Sequence, residues 1–263
     1  MSAVRRPAVA GLFYPEDPEQ LRAQVRYFLD QASNPVIDAP KALIVPHAGY
    51  PYSGPVAGTA YTQLKSIATG IERVVLLGPA HRVPLSGVAL PEAEAFQSPL
   101  GQVPLDGDAC DVLRQLPQVS MNDRAHAMEH SLEVQLPFLQ HILPHGFLLT
   151  PLLVGNATVT QVAAVLNAVW GESETLIVVS SDLSHYKDYA TARSMDELTS
   201  RAIINLDPDG LHPETACGCT GIQGLLAVAR QRGLKVHQLD LRNSGDTAGT
   251  RDQVVGYGAY AFY

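Results

Sequence analysis

Cysteine is scarce in this chain, three among 263 residues. So few thiols exclude a disulfide framework, and Cys217 and Cys219, one residue apart, form a strained span for a bridge. Reduced thiols, and with them a cytoplasmic setting, are the expectation. No stretch approaches the ~18 consecutive apolar residues of a membrane helix, so no membrane partner is expected. Residues 1–7 include Arg5 and Arg6 but no apolar core behind them, so no secretory leader is expected. There is no block of Lys and Arg, and the net charge of −8 offers nucleic acid no basic surface. No Pro/Ser-rich linker, internal repeat or low-complexity tract interrupts the chain, which predicts one domain over residues 1–263. What is present is a globular balance, 46% hydrophobic and 17% charged, enough to bury a core without staples.

Leu21, Val25, Phe28 and Leu29 recur at helical spacing within residues 18–32, with Asp17 placed to cap the start and Asn34-Pro35 to end it. Further helices are predicted at about 56–64, 108–116, 131–140, 159–170, 192–205 and 222–231. Pro137 weakens the middle of the 131–140 helix, and Gly233 closes the last one. Short apolar or alternating runs predict strands at 42–45, 74–77, 88–90, 148–154, 176–179, 235–241 and 254–263. A Gly/Pro/Tyr-rich stretch, residues 49–55, precedes the 56–64 helix. Strands alternating with helices predict an α/β fold, a mixed or largely parallel central sheet flanked by helices.

Three apolar runs end in a chemically capable side chain: His47, His81, and Asp182 with His185 three residues on. Cys217-Gly218-Cys219 stands just before the 222–231 helix. Groups past the carboxyl ends of strands in an open α/β sheet converge on one crevice. Imidazole and thiolate there are ligands for zinc, iron or copper. Each residue also has an ordinary reading: a hydrogen-bonded histidine, a turn-capping Asp182 beside an exposed His185, two buried small cysteines. Asp182 can hold His185 in one tautomer, which suits a general base or the support of a metal ligand. Tyr50, Tyr52 and Tyr186 neighbour these residues and either offer a phenol to a bound ligand or simply pack.

His126-Ala127-Met128-Glu129-His130 matches the H-x-x-E-H pattern of some metalloproteases. On a helix His126 and His130 share a face, with Glu129 as base and Glu133 as a further ligand. Asn122-Asp123 and Pro137 are poor flanks for that helix. The other reading makes Glu129 and His130 supporting or substrate-binding residues of the strand-end crevice. His141, His145, His212 and His237 read as solvated.

Six segments, in order along almost the whole chain, carry a family likeness. They are residues 5–15, Pro46-His47-Ala48-Gly49-Tyr50-Pro51-Tyr52-Ser53-Gly54, Gly78-Pro79-Ala80-His81, Glu129-His130-Ser131-Leu132-Glu133, Ser181-Asp182-Leu183-Ser184-His185-Tyr186, and Cys217-Gly218-Cys219. Together they resemble the MEMO family, specifically its prokaryotic branch, the AmmeMemoRadiSam system protein B. The resemblance implies a fold like the class III extradiol dioxygenases, which use non-haem iron. It implies His47 and His81 as metal ligands, Cys217 in place of a glutamate ligand, and His185 as the catalytic histidine with Asp182 beside it. A thiolate is softer than a carboxylate, moves metal preference toward copper or zinc, and can itself be oxidised. Iron or copper is the expected cofactor, with zinc a further candidate. Eukaryotic members carry Gly-Arg-His after the matching cysteine, whereas Gly218-Cys219-Thr220 follows here. The resemblance implies radical-SAM and AMMECR1-like proteins as partners, beside an unidentified small molecule or peptide. Three functions are thus in view: a dioxygenase-like oxidoreductase, a non-enzymatic binding module using the same crevice, and a metal-dependent hydrolase built on His126 and His130.

Overall fold

The computed structural model describes residues 4–263; Met1, Ser2 and Ala3, the head of the stretch read above for a leader, lie outside them. The chain opens with β1 (Val4–Arg5) and α1 (Pro18–Gln31), whose first N–H groups are capped by the Asp17 carboxylate. β2 (Ala42–Val45), α2 (Tyr50–Thr62), β3 (Arg73–Pro79), β4 (Val88–Leu90), β5 (Ala95–Ser98) and β6 (Gly101–Pro104) follow. Then come α3 (Gly107–Leu113), β7 (Val119–Met121), α4 (Asp123–Ala127), α5 (Leu136–Ile142), β8 (Leu148–Val154), α6 (Val159–Ala168) and β9 (Thr175–Ser180). β10 (His185–Lys187), α7 (Tyr189–Ile204), α8 (Cys219–Gln231), β11 (Val236–Asn243) and β12 (Val254–Phe262) complete it.

The main sheet runs β10-β12-β2-β9-β3-β8-β4-β7, with β11 also paired to β12. Its centre, β2-β9-β3-β8, is parallel. β12 joins antiparallel to β2, and β4 antiparallel to β8, so the sheet is mixed. Every residue of β2 and β9 is buried, as near-continuous apolar strands covered on both faces demand. Alternation divides the two cores. Leu43, Val45 and Val178 meet α1, α2 and α5 through Leu21, Tyr61 and Leu139. Ile44, Ile177 and Val179 meet α6 and α8 through Val162, Leu166 and Leu225. The α/β class with a mixed, helix-flanked sheet is therefore the fold the periodicities indicated.

Two local expectations are corrected. The Gly/Pro/Tyr-rich stretch belongs to the helix: α2 begins at Tyr50 rather than near residue 56. Pro51 falls in its first turn, where a missing N–H costs nothing. Its glycines serve close packing, since a Cβ on Gly54 would lie 2.3 Å from the Phe28 ring of α1. The 131–140 helix is split into a 3-10 turn, Glu133–Gln135, and α5, so Pro137 sits at a helix start instead of a helix middle. The small sheet β1-β5-β6 was not foreseen from the periodicities; its strands are short and only partly buried.

Candidate metal centre

β2, β9 and β3 lie side by side and run the same way. His47 stands two residues past β2, His81 two past β3 and Asp182 two past β9, so all three reach one crevice. Cys217 enters from the loop before α8, where its N–H donates to the Asp182 carbonyl. The Cys217 Sγ is 3.2 Å from His47 Nε2. Ligand atoms of His47, His81 and Cys217 all lie within 4.8 Å of one another.

Hydrogen bonds behind the rings decide which nitrogens face the crevice. The Ser180 hydroxyl donates its one proton to the Ser131 carbonyl at 2.6 Å. Toward His47 Nδ1, 2.9 Å away, it therefore acts as acceptor. That makes Nδ1 the protonated nitrogen and leaves Nε2 a lone pair. Gln135 braces the arrangement, its Nε2 donating to Ser180 Oγ and to the Pro46 carbonyl. His81 is set by a carboxylate: Nδ1 bonds Glu129 Oε1 at 2.9 Å, and the His81 backbone N–H donates to Oε2 at 2.6 Å. Partners of this kind behind an imidazole fix its orientation and raise its basicity toward a metal.

Glu129 also accepts the His130 and Ser131 N–H groups, at 2.9 and 3.0 Å. Burial alone would raise its pKa, but hydrogen bonds from His130, His81 and Ser131 prevail and hold it well below the usual carboxylate range. His81, Glu129 and His130 form a second close grouping. The N–H groups on both Glu129 oxygens make it a hydrogen-bonded support for His81 and for the backbone at residues 130 and 131. His130 stacks on His81 with ring centroids 4.8 Å apart and stands edge-on to His47 at 5.4 Å. Three imidazoles thus meet, with His130 beside the two ligand candidates.

Burial, followed by the charge of Asp182, pushes the Cys217 thiol up to about 12. Burial, followed by His81 and His130, pushes the His47 imidazole well below its ordinary value. Both effects keep the Cys217–His47 pair neutral, which disfavours the thiolate–imidazolium dyad of a cysteine nucleophile. A bound cation reverses the balance for the thiol, because coordination takes the thiolate.

Asp182 is not paired with His185 as the motif suggested. Its Oδ1 accepts the His47 backbone N–H at 2.7 Å, and burial raises its pKa. The Leu183 carbonyl, 2.8 Å from His185 Nδ1, accepts instead, which places the lone pair of the neutral ring on Nε2. Tyr50 lies in the core, its phenol donating to the Val134 carbonyl and its ring against Tyr14 and Phe138. Tyr52, two residues on, is exposed, and so is Tyr186, held at φ 54° beside His185.

The metalloprotease pattern fails on geometry. α4 ends at Ala127, short of His130. His126 Nε2 lies 3.1 Å from the Ala89 carbonyl, and Glu133 is occupied by Arg5, Tyr14 and two backbone N–H groups. Ser180, Gln135 and Arg5 were not singled out from sequence. Ser180 and Gln135 signal themselves only as polar residues in apolar surroundings, and Arg5 only as the start of the first likeness segment.

An α/β sheet that gathers two oriented imidazoles and a thiol past its parallel strand ends defines a candidate metal-binding protein. The Memo-like protein family matches residues 5–261, and the chain belongs to that family. Similar curated proteins, each described as a MEMO1 family protein, come from Sulfolobus acidocaldarius, Aquifex aeolicus and Thermoplasma volcanium. They are 35%, 36% and 33% identical to it. The first two matches cover 97% of each chain, and the third covers 97% of this one and 96% of its relative.

Proposed function

We propose that His47, His81 and Cys217 bind iron or copper in a non-haem dioxygenase-like site with a redox or oxygen-linked role. The carrying observation is that three donor atoms from separate segments lie within 4.8 Å, with both imidazoles braced from behind. The donor set, two neutral nitrogens and one sulfur, fits a soft or borderline transition metal. Bound there, such a metal supplies redox chemistry and an open position for a ligand. Asp182 holds the His47 backbone, and His185, its Nδ1 tied to the Leu183 carbonyl, leaves Nε2 for acid/base work. The family likeness supports association with radical-SAM and AMMECR1-like proteins and a small molecule or peptide as the ligand.

A second reading, a binding module in the same crevice, draws on Tyr186: it is 70% exposed and held at a positive φ rarely adopted by non-glycine residues. Metal analysis of anaerobically purified protein separates the two, followed by oxygen uptake with and without catechols. One iron or copper per chain, lost in the His47→Ala/Cys217→Ser double variant, supports the metal reading. Metal-free protein that gains none on reconstitution overturns it in favour of the binding module.

A further inference from the structure

Arg5 and Glu133 are fully engaged side chains to which the metal reading assigns no role. Glu133 is completely buried. Its carboxylate takes the Arg5 guanidinium, the Tyr14 hydroxyl at 2.6 Å, and the backbone N–H groups of Ala8 and Val9 at 2.7 and 3.0 Å. One carboxylate thereby gathers both ends of the segment from Arg5 to Tyr14. Two routes lead from it to the ligands. In the first, the other guanidinium nitrogens of Arg5 donate to the carbonyls of His126 and Glu129. They pin the backbone of the residue whose carboxylate orients His81. In the second, the segment delivers Phe13. The Phe13 ring lies 4.8 Å from the His130 ring, and the Phe13 carbonyl accepts the Tyr50 N–H at 2.8 Å, three residues beyond His47.

We propose that Glu133 is a positioning residue for the metal centre: through Arg5 and the segment ending at Tyr14 it fixes Glu129 and Phe13, and so the rings of His81 and His130. The inference rests on the metal reading and adds what holds the site in register. A buried carboxylate with a guanidinium and three further donors is costly to assemble unless every donor is in place, so the hub has one well-defined arrangement. Loss of its charge leaves Arg5 unpaired and frees the Glu129 backbone. Supports one step behind metal ligands typically change affinity by about 10–100-fold.

Cobalt(II) is the probe, because its absorption reports both thiolate coordination and ligand geometry. The full chain is compared with Glu133→Gln and Glu133→Asp for cobalt affinity by chelator competition, cobalt spectrum and thermal midpoint. Glu133→Gln is expected to bind cobalt about tenfold more weakly with shifted ligand-field bands and a retained thiolate band, and Glu133→Asp to recover part of both. Folded Glu133→Gln with wild-type affinity and spectrum overturns the proposal. Should Glu133→Gln not fold, Phe13→Ala, which keeps the buried hub, carries the test. Shifted bands at an unchanged thermal midpoint support the positioning role, and an unchanged spectrum overturns it. Wild-type protein that takes up no cobalt defeats the metal reading itself, a result distinct from wild-type binding matched by both variants.

Discussion

The Ser180 hydroxyl has one proton, and the Ser131 carbonyl takes it. The tautomer of His47 follows from that single commitment. Ser180→Ala removes the acceptor behind Nδ1 and leaves the buried Gln135 amide short of a partner. Metal affinity is expected to fall about tenfold, and stability by about 1–3 kcal/mol, the cost of an unsatisfied buried donor. Chelator competition and urea unfolding check the two separately; unchanged affinity in the folded variant argues against the tautomer account. His126 supplies a pH dependence. Burial, offset in part by its bond to the Ala89 carbonyl, lowers its pKa from 6.5 to about 4. The unfolded chain then takes up a proton on falling through about pH 6.5 that the folded protein refuses until about pH 4. Stability from this residue is therefore complete above about pH 6.5 and is lost as pH falls toward 4, by about 3 kcal/mol. His126→Gln keeps a donor for Ala89 and is expected to flatten the urea midpoint between pH 7 and 4. Equal slopes in variant and wild type would falsify the assignment.

Elements were legible where one apolar run makes one strand. Ala42–Val45 and Leu148–Val154 have the predicted bounds because strands buried on both faces read as near-continuous apolar runs, Thr150 being the one polar interruption in the second. α2 was misread at its start for a physical reason: Gly54 and Gly58 resemble turn residues in sequence, yet they exist to let α1 approach. The distinction lies in Phe28, on another helix, and local pattern does not contain it. Gly54→Ala drives a methyl into the Phe28 ring, with only 2.3 Å available. It is expected to cost about 1–3 kcal/mol, as overpacking does, and Phe28→Leu in the same chain to recover part of it. Thermal midpoints of the two variants decide the matter. A Gly54→Ala protein as stable as wild type would show that the α1–α2 contact yields freely.

At the scale of the whole molecule, the strand order matters more than any one element. β2, β9 and β3 are adjacent although 95 residues of chain, 80–174, separate the end of β3 from the start of β9. The periodicities showed that His47, His81 and Asp182 end strands, and the rule for open α/β sheets brought them together. Cys217 needed the family likeness, because it ends a loop and not a strand. Arg5–Glu133 stayed hidden because its partners are 128 positions apart and leave no spacing to read. On the proposed metal reading the same convergence couples metal to folding: an ion held by separate segments would bind the folded chain and find no such site in the unfolded one. Binding that discriminates in this way stabilises by RT ln(1 + [L]/Kd), about 2.7 kcal/mol at a hundredfold excess over Kd. Wild-type protein is therefore expected to melt several degrees higher with bound copper(I) or cobalt(II), and to return to its metal-free midpoint with chelator. His47→Ala/Cys217→Ser is expected to show the metal-free midpoint throughout. Calorimetry of the four combinations checks this, and a rise that persists in the double variant would place the ion elsewhere on the molecule.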